Sequence, residues 1–459
     1  MSTTASLESS ASGGATWPAT AGSRRSANWT TSWGAPCEPS SGRDPLQGRT
    51  VRTSVNISDD ILRSPLVILT GAGASVPLGK LTTKQFIQHL LDNLAALYTQ
   101  HKRAAEYLGR VLPAALAASL DVEDILGTLE DRVRFIDFLL ADPEFARDVL
   151  FGDVTRATSY RARDLAARDI IYDKVIDHYG DVDANQAADL YRGLIGHLRD
   201  WTDQVVDRPI LSLPFFTLNY DRAVEAACSV LGVPCVDGIQ AVKGRTERRW
   251  TPSAFEEYRE RSDSATTVLI KLHGSVRLGR RSMAAYGLGE DELVELPESI
   301  QRDPQPYKHA VLYPSRGAKE IDREPFYTHY RAFGGCLRRA ALLLVVGCSL
   351  RDVEVRTALR TATEDNQALR ILVLDPQAQH EDVARAVHTT PERVAVERRE
   401  FTVEDPDTVE RGTSPLMGLV RGYLSSALGR EQVGTAYAFG KTAESARRPG
   451  TPLESQVSL

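Results

Sequence analysis

The sequence predicts an α/β protein in which a doubly wound parallel sheet is interrupted by a large helical insertion. Three observations predict it. Apolar runs at Leu66–Thr70, Pro214–Asp221, Thr267–His273, Ala341–Gly347 and Leu369–Asp375 read as short strands, and their near-continuous hydrophobicity is that of strands buried on both faces. Helical patterns follow them, as at Arg222–Cys228 and Val353–Ala362. Each run closes on a glycine or a small polar or ionisable residue, and ligands of parallel sheets bind outside those carboxyl ends.

The first run leads into Gly71-Ala72-Gly73-Ala74-Ser75, two glycines that let the backbone turn tightly and approach a ligand. A helix with Thr82 as its cap is expected next, so strand, turn and helix together can cradle a pyrophosphate with backbone N–H groups. A third glycine would complete the dehydrogenase fingerprint, but Val76 stands there. Taken alone, the stretch is equally compatible with a plain tight turn.

From there to residue 210 the chain is rich in Leu, Ala, Asp, Glu and Arg at helical spacing. It predicts a helix from Val122 through Leu140 with Asp121 as cap, further helices over 154–179 and 184–203, and an insertion of about 84–205. His178 and His197 fall on helix faces and carry no assigned chemistry. The polar stretches 236–265 and 276–310 read as irregular elaborations, and Arg393–Val396 with Arg399–Val403 as a last edge strand. Residues 1–60, rich in Ser, Thr, Gly and Pro, and the tail 431–459 read as disordered, leaving 61–430 as the folded domain.

Across 459 residues a net charge of −6 supplies no basic field for nucleic acid. The chain has no apolar run of membrane-spanning length and its first residues lack a signal core, so a cytoplasmic protein is expected. Cys37, Cys228, Cys235, Cys336 and Cys348 show no Cys-x-x-Cys pairing, so neither a disulfide framework nor a zinc site is expected.

In order along the chain, Gly71–Ser75, Thr217-Leu-Asn219-Tyr-Asp221, Lys271-Leu-His273-Gly-Ser275 and Gly347-Cys-Ser349-Leu-Arg-Asp352 resemble the motif set of the sirtuin superfamily, in particular its bacterial SIR2-like branch found in anti-phage defence. The resemblance spans roughly residues 62–375. It implies a Rossmann-like core with NAD as the substrate: Gly71, Ala72, Gly73 and Ser75 at the phosphates, Thr217, Asn219 and Asp221 beside the nicotinamide ribose, Gly347, Ser349 and Asp352 at the phosphates or adenosine ribose. Asp375 sits where a strand-end acid could bond ribose hydroxyls. The counterpart of Asn219 orients the attacking group, and that of His273 is the general base. Plainer roles stand beside these: Asn219 capping the following helix, Asp221 favouring its dipole, His273 structural.

Deacylating sirtuins carry two cysteine pairs for zinc and an Asp-Phe-Arg element after the glycine turn, where this chain reads Val76–Thr82. Water is therefore the expected acceptor. The resemblance implies an NAD+ hydrolase, a toxic effector held silent by oligomerisation or a partner protein. The alternatives are an NAD or ADP-ribose sensor without turnover and, third, a protein deacylase.

Overall fold

The computed structural model describes residues 57, 64–120, 122–142, 144, 148, 154–196, 212–242, 247–259, 266–281, 292–296, 307–311, 321–404, 408–409 and 414–429. Residues 1–53, part of the segment read as disordered, lie outside the described residues, and Ser54–Leu459 carries every described element. Cys37, Asp121, His197 and residues 430–459 also lie outside them.

The chain opens with β1 (Leu66–Thr70), whose five residues are all buried. The glycine turn winds at once into a 3₁₀ turn, Ala72–Leu78, which ends at Gly79 in the left-handed region. The expected helix comes only after this turn. α1 (Thr83–Asp92) starts with a reciprocal cap, the Thr82 hydroxyl accepting from the Gln85 N–H while the Gln85 side chain accepts from the Thr82 N–H. α2 (Leu94–Ala117), α3 (Val122–Ala141), α4 (Val154–Gly180) and α5 (Ala184–Tyr191) follow, α5 running into a π turn at Arg192–Gly196. Among the described residues, these five helices lie between β1 and β2 (Ser212–Thr217). Phe86, Leu108, Leu126 and Ile171 give α1–α4 a core of their own, which meets the sheet domain at Tyr220 and Val276.

After β2 come α6 (Ala223–Leu231), β3 (Cys235–Val236), β4 (Ile239–Ala241), β5 (Arg248–Trp250), α7 (Ser253–Arg259), β6 (Thr266–Lys271), β7 (Gly274–Arg281), β8 (Glu292–Glu295) and β9 (Tyr307–Val311). The chain continues through α8 (Phe326–Leu337), β10 (Leu342–Val346), α9 (Val353–Asp365), β11 (Arg370–Leu374), α10 (His380–Ala386), β12 (Val394–Glu397) and α11 (Pro415–Ala427).

Seven strands form one parallel sheet in the order β12-β11-β10-β1-β2-β6-β3. Without the two-residue β3, this is the doubly wound Rossmann order, with its reversal between β1 and β10. Side chains alternate across it. Val67, Leu69, Leu343 and Val345 pack under α8 and α9, whereas Leu66, Ile68, Leu344 and Val346 pack under α5, α6 and α11.

Two expectations are corrected. Residues 236–265 and 276–310 are not simply irregular: they supply an antiparallel sheet, β4-β5-β8-β7-β9. Its apolar cluster is small, Trp250, Leu278 and Leu293 with Ile239. Arginine–glutamate pairs tie its strands together, including Arg249–Glu292 at 2.6 Å, Arg281–Glu292 at 2.6 Å and Arg248–Glu295 at 2.8 Å. Charged faces of this kind leave no apolar run to read. Residues 399–403 form no strand either, and Phe401 instead turns inward to pack on Tyr191, ring centroids 5.5 Å apart.

Candidate active site

The reversal between β1 and β10 places two glycine turns against each other. The Gly71 N–H donates to the Val346 carbonyl (3.0 Å), the Gly73 N–H to Gly347 (2.9 Å) and the Gly347 N–H to Leu374 (3.0 Å). A Cβ on Gly71 would lie 2.8 Å from Cys348 Cα, and one on Gly73 2.8 Å from Gly347 Cα. At the position of the missing third glycine, Val76 is 44% exposed, so much of its side chain is in solvent.

Asn219 ties β2 to this turn. Its Nδ2 donates to the Gly71 carbonyl (3.0 Å) and to Ser75 Oγ (2.9 Å), and its backbone N–H donates to Thr217 Oγ1 (3.0 Å). Thr217 in turn accepts from Thr70 Oγ1 at 2.9 Å, across the register pair Thr70–Thr217. Ser75 donates to Asp221 Oδ2 at 2.7 Å. Arg222 is the N-cap residue of α6 and lends no side chain to the cap; Asp221, one residue earlier, accepts from the first helical N–H, that of Ala223, on Oδ1 at 3.0 Å. Asp221 is 4% exposed with both oxygens engaged inside the protein. Burial raises its pKa, against the nearby Lys271 cation and these hydrogen bonds. Lys271 donates to the Asp221 carbonyl and pairs with Glu225 at 2.7 Å.

His273 follows β6. Its Nε2 lies 3.1 Å from Asp352 Oδ2, while Asp352 Oδ1 caps α9 by accepting from the Val355 N–H at 2.8 Å. Thus Asp352, read for phosphate or ribose binding, stands against the imidazole. Glu123, in the first turn of α3, accepts from the Tyr220 hydroxyl and places Oε1 4.0 Å from His273 Nδ1. The ring of Tyr220 stands 6.4 Å from that of His273.

The remaining candidates sit around the cradle. Ala72 is half-buried and Ser349 is exposed. Asp375 accepts from the Gln377 N–H at 2.8 Å, a local turn, and is not joined to the other candidates by any hydrogen bond among the described residues. Burial pushes the Cys348 thiol up to about 12, which keeps it protonated and unreactive. His178 is structural, its Nε2 accepting from the Leu81 N–H at 2.9 Å. Glu123, Thr70 and Lys271 were given no role by the sequence. Thr70 had a signal, a polar end on the strand next to Thr217, but an acid in a helix's first turn reads as a dipole effect.

His329 on α8 gives a pH prediction. Its Nδ1–H donates to the Lys271 carbonyl at 2.9 Å, and burial lowers its pKa to about 4. The unfolded chain therefore binds the extra proton first, so stability falls as pH drops from about 6.5 towards 4. His329→Asn, which keeps a donor, is expected to abolish about 2–3 kcal/mol of that loss, measured by urea unfolding at pH 7 and 4.5.

No helix among the described residues is long and apolar enough to cross a membrane, and no three His, Cys, Asp or Glu side chains among them cluster to hold a metal. No curated protein matches the chain. Among solved structures, a triple mutant of a Sir2 homologue in complex with 2′-O-acetyl-ADP-ribose is similar at 14% identity and a TM-score of 0.36, over 77% of this chain and 92% of that one. Sir2 bound to an inhibitor, 2′-O-acetyl-ADP-ribose and a deacetylated p53 peptide is similar at 13% identity and a TM-score of 0.33, over 77% and 98%. Residues 214–391, which hold Thr217, Asn219, Asp221, His273, Gly347, Ser349, Asp352 and Asp375, match the family described as the SIR2-like domain.

Proposed function

We propose that this protein hydrolyses NAD+, cleaving the nicotinamide–ribose bond to release nicotinamide and ADP-ribose. One observation carries the reading: Asn219 is bonded to the glycine turn, and on the next strand His273 is held by Asp352, which follows the opposing glycine turn. A dinucleotide laid over Gly71, Ala72, Gly73 and Gly347, with Ser349 beside it, meets turns whose missing side chains let its phosphates approach the backbone closely, while the N–H groups of Gly71, Gly73 and Gly347 stay bonded to Val346, Gly347 and Leu374.

Bond cleavage develops positive, oxocarbenium character on the ribose. Asn219 Nδ2 is spent on Gly71 and Ser75, so its carbonyl oxygen is the end available to orient an attacking water. Asp352 fixes Nε2 of His273, which leaves Nδ1 to take the proton from that water or from a ribose hydroxyl. Water supplies the hydroxyl on the anomeric carbon and gives its proton to His273, while the carbon–nitrogen bond breaks and nicotinamide leaves with the bonding pair. Asp221, enclosed and fully bonded, supports the turn rather than touching the sugar.

An enzyme that empties the NAD pool is toxic to its own cell. We place it in the cytoplasm as an anti-phage effector, held silent by self-assembly or a partner protein until infection.

The test is nicotinamide release from NAD+. Turnover by the wild type and a loss of about 10²-fold or more in His273→Ala are expected. NAD or ADP-ribose binding with no release under any activating condition would replace hydrolysis by the sensor reading. Transfer of an acetyl group from a peptide would make it a deacylase.

A further inference from the structure

The His273 imidazole is 3% exposed, and its Nδ1 is buried with no hydrogen-bond partner. Its other nitrogen is committed. Asp352 receives the Val355 N–H on one oxygen and faces Nε2 with the other, so the tautomer that matches an accepting carboxylate carries the ring proton on Nε2. Nδ1 is then the basic nitrogen.

Glu123 Oε1 stands 4.0 Å from that atom. Its side chain is only 12% exposed, although it comes from the first turn of α3, an element of the inserted helices with a core of their own. The Tyr220 hydroxyl fixes it by donating to the same oxygen. Other titratable groups surround the pair. Tyr179 of α4 packs its edge on Tyr220, and Tyr330 of α8 has a buried, unpartnered hydroxyl in the field of Asp352, Glu354 and Glu123.

We infer that Glu123 is a positioning residue for His273, so that the inserted helices complete the acid–base unit of the sheet domain. This rests on the hydrolase reading and names a further part of that site. The neutral ring has no proton on Nδ1 to give, so no hydrogen bond forms at 4.0 Å. When Nδ1 takes a proton from water or a ribose hydroxyl, the imidazolium stands between two carboxylates, Asp352 on one nitrogen and Glu123 on the other. No other bond changes at the ring.

Glu123→Gln removes the charge and keeps an acceptor for Tyr220. In the substrate-free full chain with isotope-labelled histidine, the titration midpoint of His273 is expected to fall by at least about 0.5 pH unit in this variant. In turnover, kcat is expected to fall about tenfold with KM within twofold, and the acid limb of the rate profile to move to lower pH. Glu123→Asp, which retains the charge, is expected to recover most of both. Should Glu123→Gln not fold, Tyr220→Phe reads the same contact by releasing the carboxylate, and a midpoint displaced by about 0.3 unit is expected. An unmoved His273 midpoint in the folded variant overturns the inference, whatever the turnover. A wild type that binds NAD without hydrolysing it overturns the hydrolase reading instead, and the titration still decides the role of Glu123.

Discussion

Asn219→Ala is expected to lower nicotinamide release about 10³-fold while the protein stays folded. The amide does two things that alanine cannot. Its Nδ2 bridges the Gly71 carbonyl and Ser75 Oγ, which pins the end of β2 to the glycine turn. Its carbonyl then has a fixed direction, which the proposed mechanism uses to orient the attacking water. Two hydrogen bonds in a buried setting also go, so a stability loss of about 1–3 kcal/mol should accompany the kinetic one. Asn219→Asp separates the two effects. It keeps the volume but sets a carboxylate against the Gly71 carbonyl and close to Asp221, so turnover should fall at least as far. Measuring kcat, NAD affinity and urea unfolding together tests this, and turnover of Asn219→Ala within threefold of wild type would remove Asn219 from the chemistry.

Gly347→Val is the substitution expected to damage the fold most, by about 4 kcal/mol or more. Gly347 sits at a φ of +56°, where a β-branched side chain is strained. Space is lacking as well as conformation. An added Cβ would meet Ala74 N at 2.3 Å and the Gly73 carbonyl carbon at 2.4 Å, both of them backbone that cannot step aside. The two turns would have to separate, and with them the cradle at the carboxyl ends of β1 and β10. Gly79 is the control. Its φ of +74° is similar, but nothing lies within 4 Å of its would-be Cβ. Gly79→Ala should therefore cost only about 1 kcal/mol. Equal losses in the two unfolding measurements would show that backbone strain alone, not the interlocked turns, sets the cost.

Much of the sheet was legible because burial on both faces writes a local signature. Leu342–Val346 and Arg370–Leu374 stand within a residue or so of their expected ends, since an apolar run stops where the strand leaves the core. Expected helices ended early for a related reason. Val353–Asp365 runs on past Ala362 through Thr363, Glu364 and Asp365, whose polarity hid the continuation, and Ala223–Leu231 runs on past Cys228 to the left-handed Gly232. The second sheet was not legible. Strands such as Arg248–Trp250 and Glu292–Glu295 are too short and too charged to show a period, and they exist because partners far along the chain neutralise them. The contact of Asp352 with His273 was hidden in the same way. As a helix cap Asp352 was readable, but its second oxygen meets an imidazole 79 residues earlier.

The amino-acid order by itself determined the long strands of the parallel sheet, their polar ends and the glycine turns, because backbone freedom, hydrophobic period and capping are properties of neighbouring residues. Only the tertiary structure decided which of those ends share a proton. The His273 tautomer depends on Asp352, and the approach of Glu123 depends on where a separately packed set of helices comes to rest. Hydrogen bonds and charge pairs of that kind act within a few ångströms in space while their partners lie up to 150 positions apart in the chain. No short stretch of sequence carries that distance.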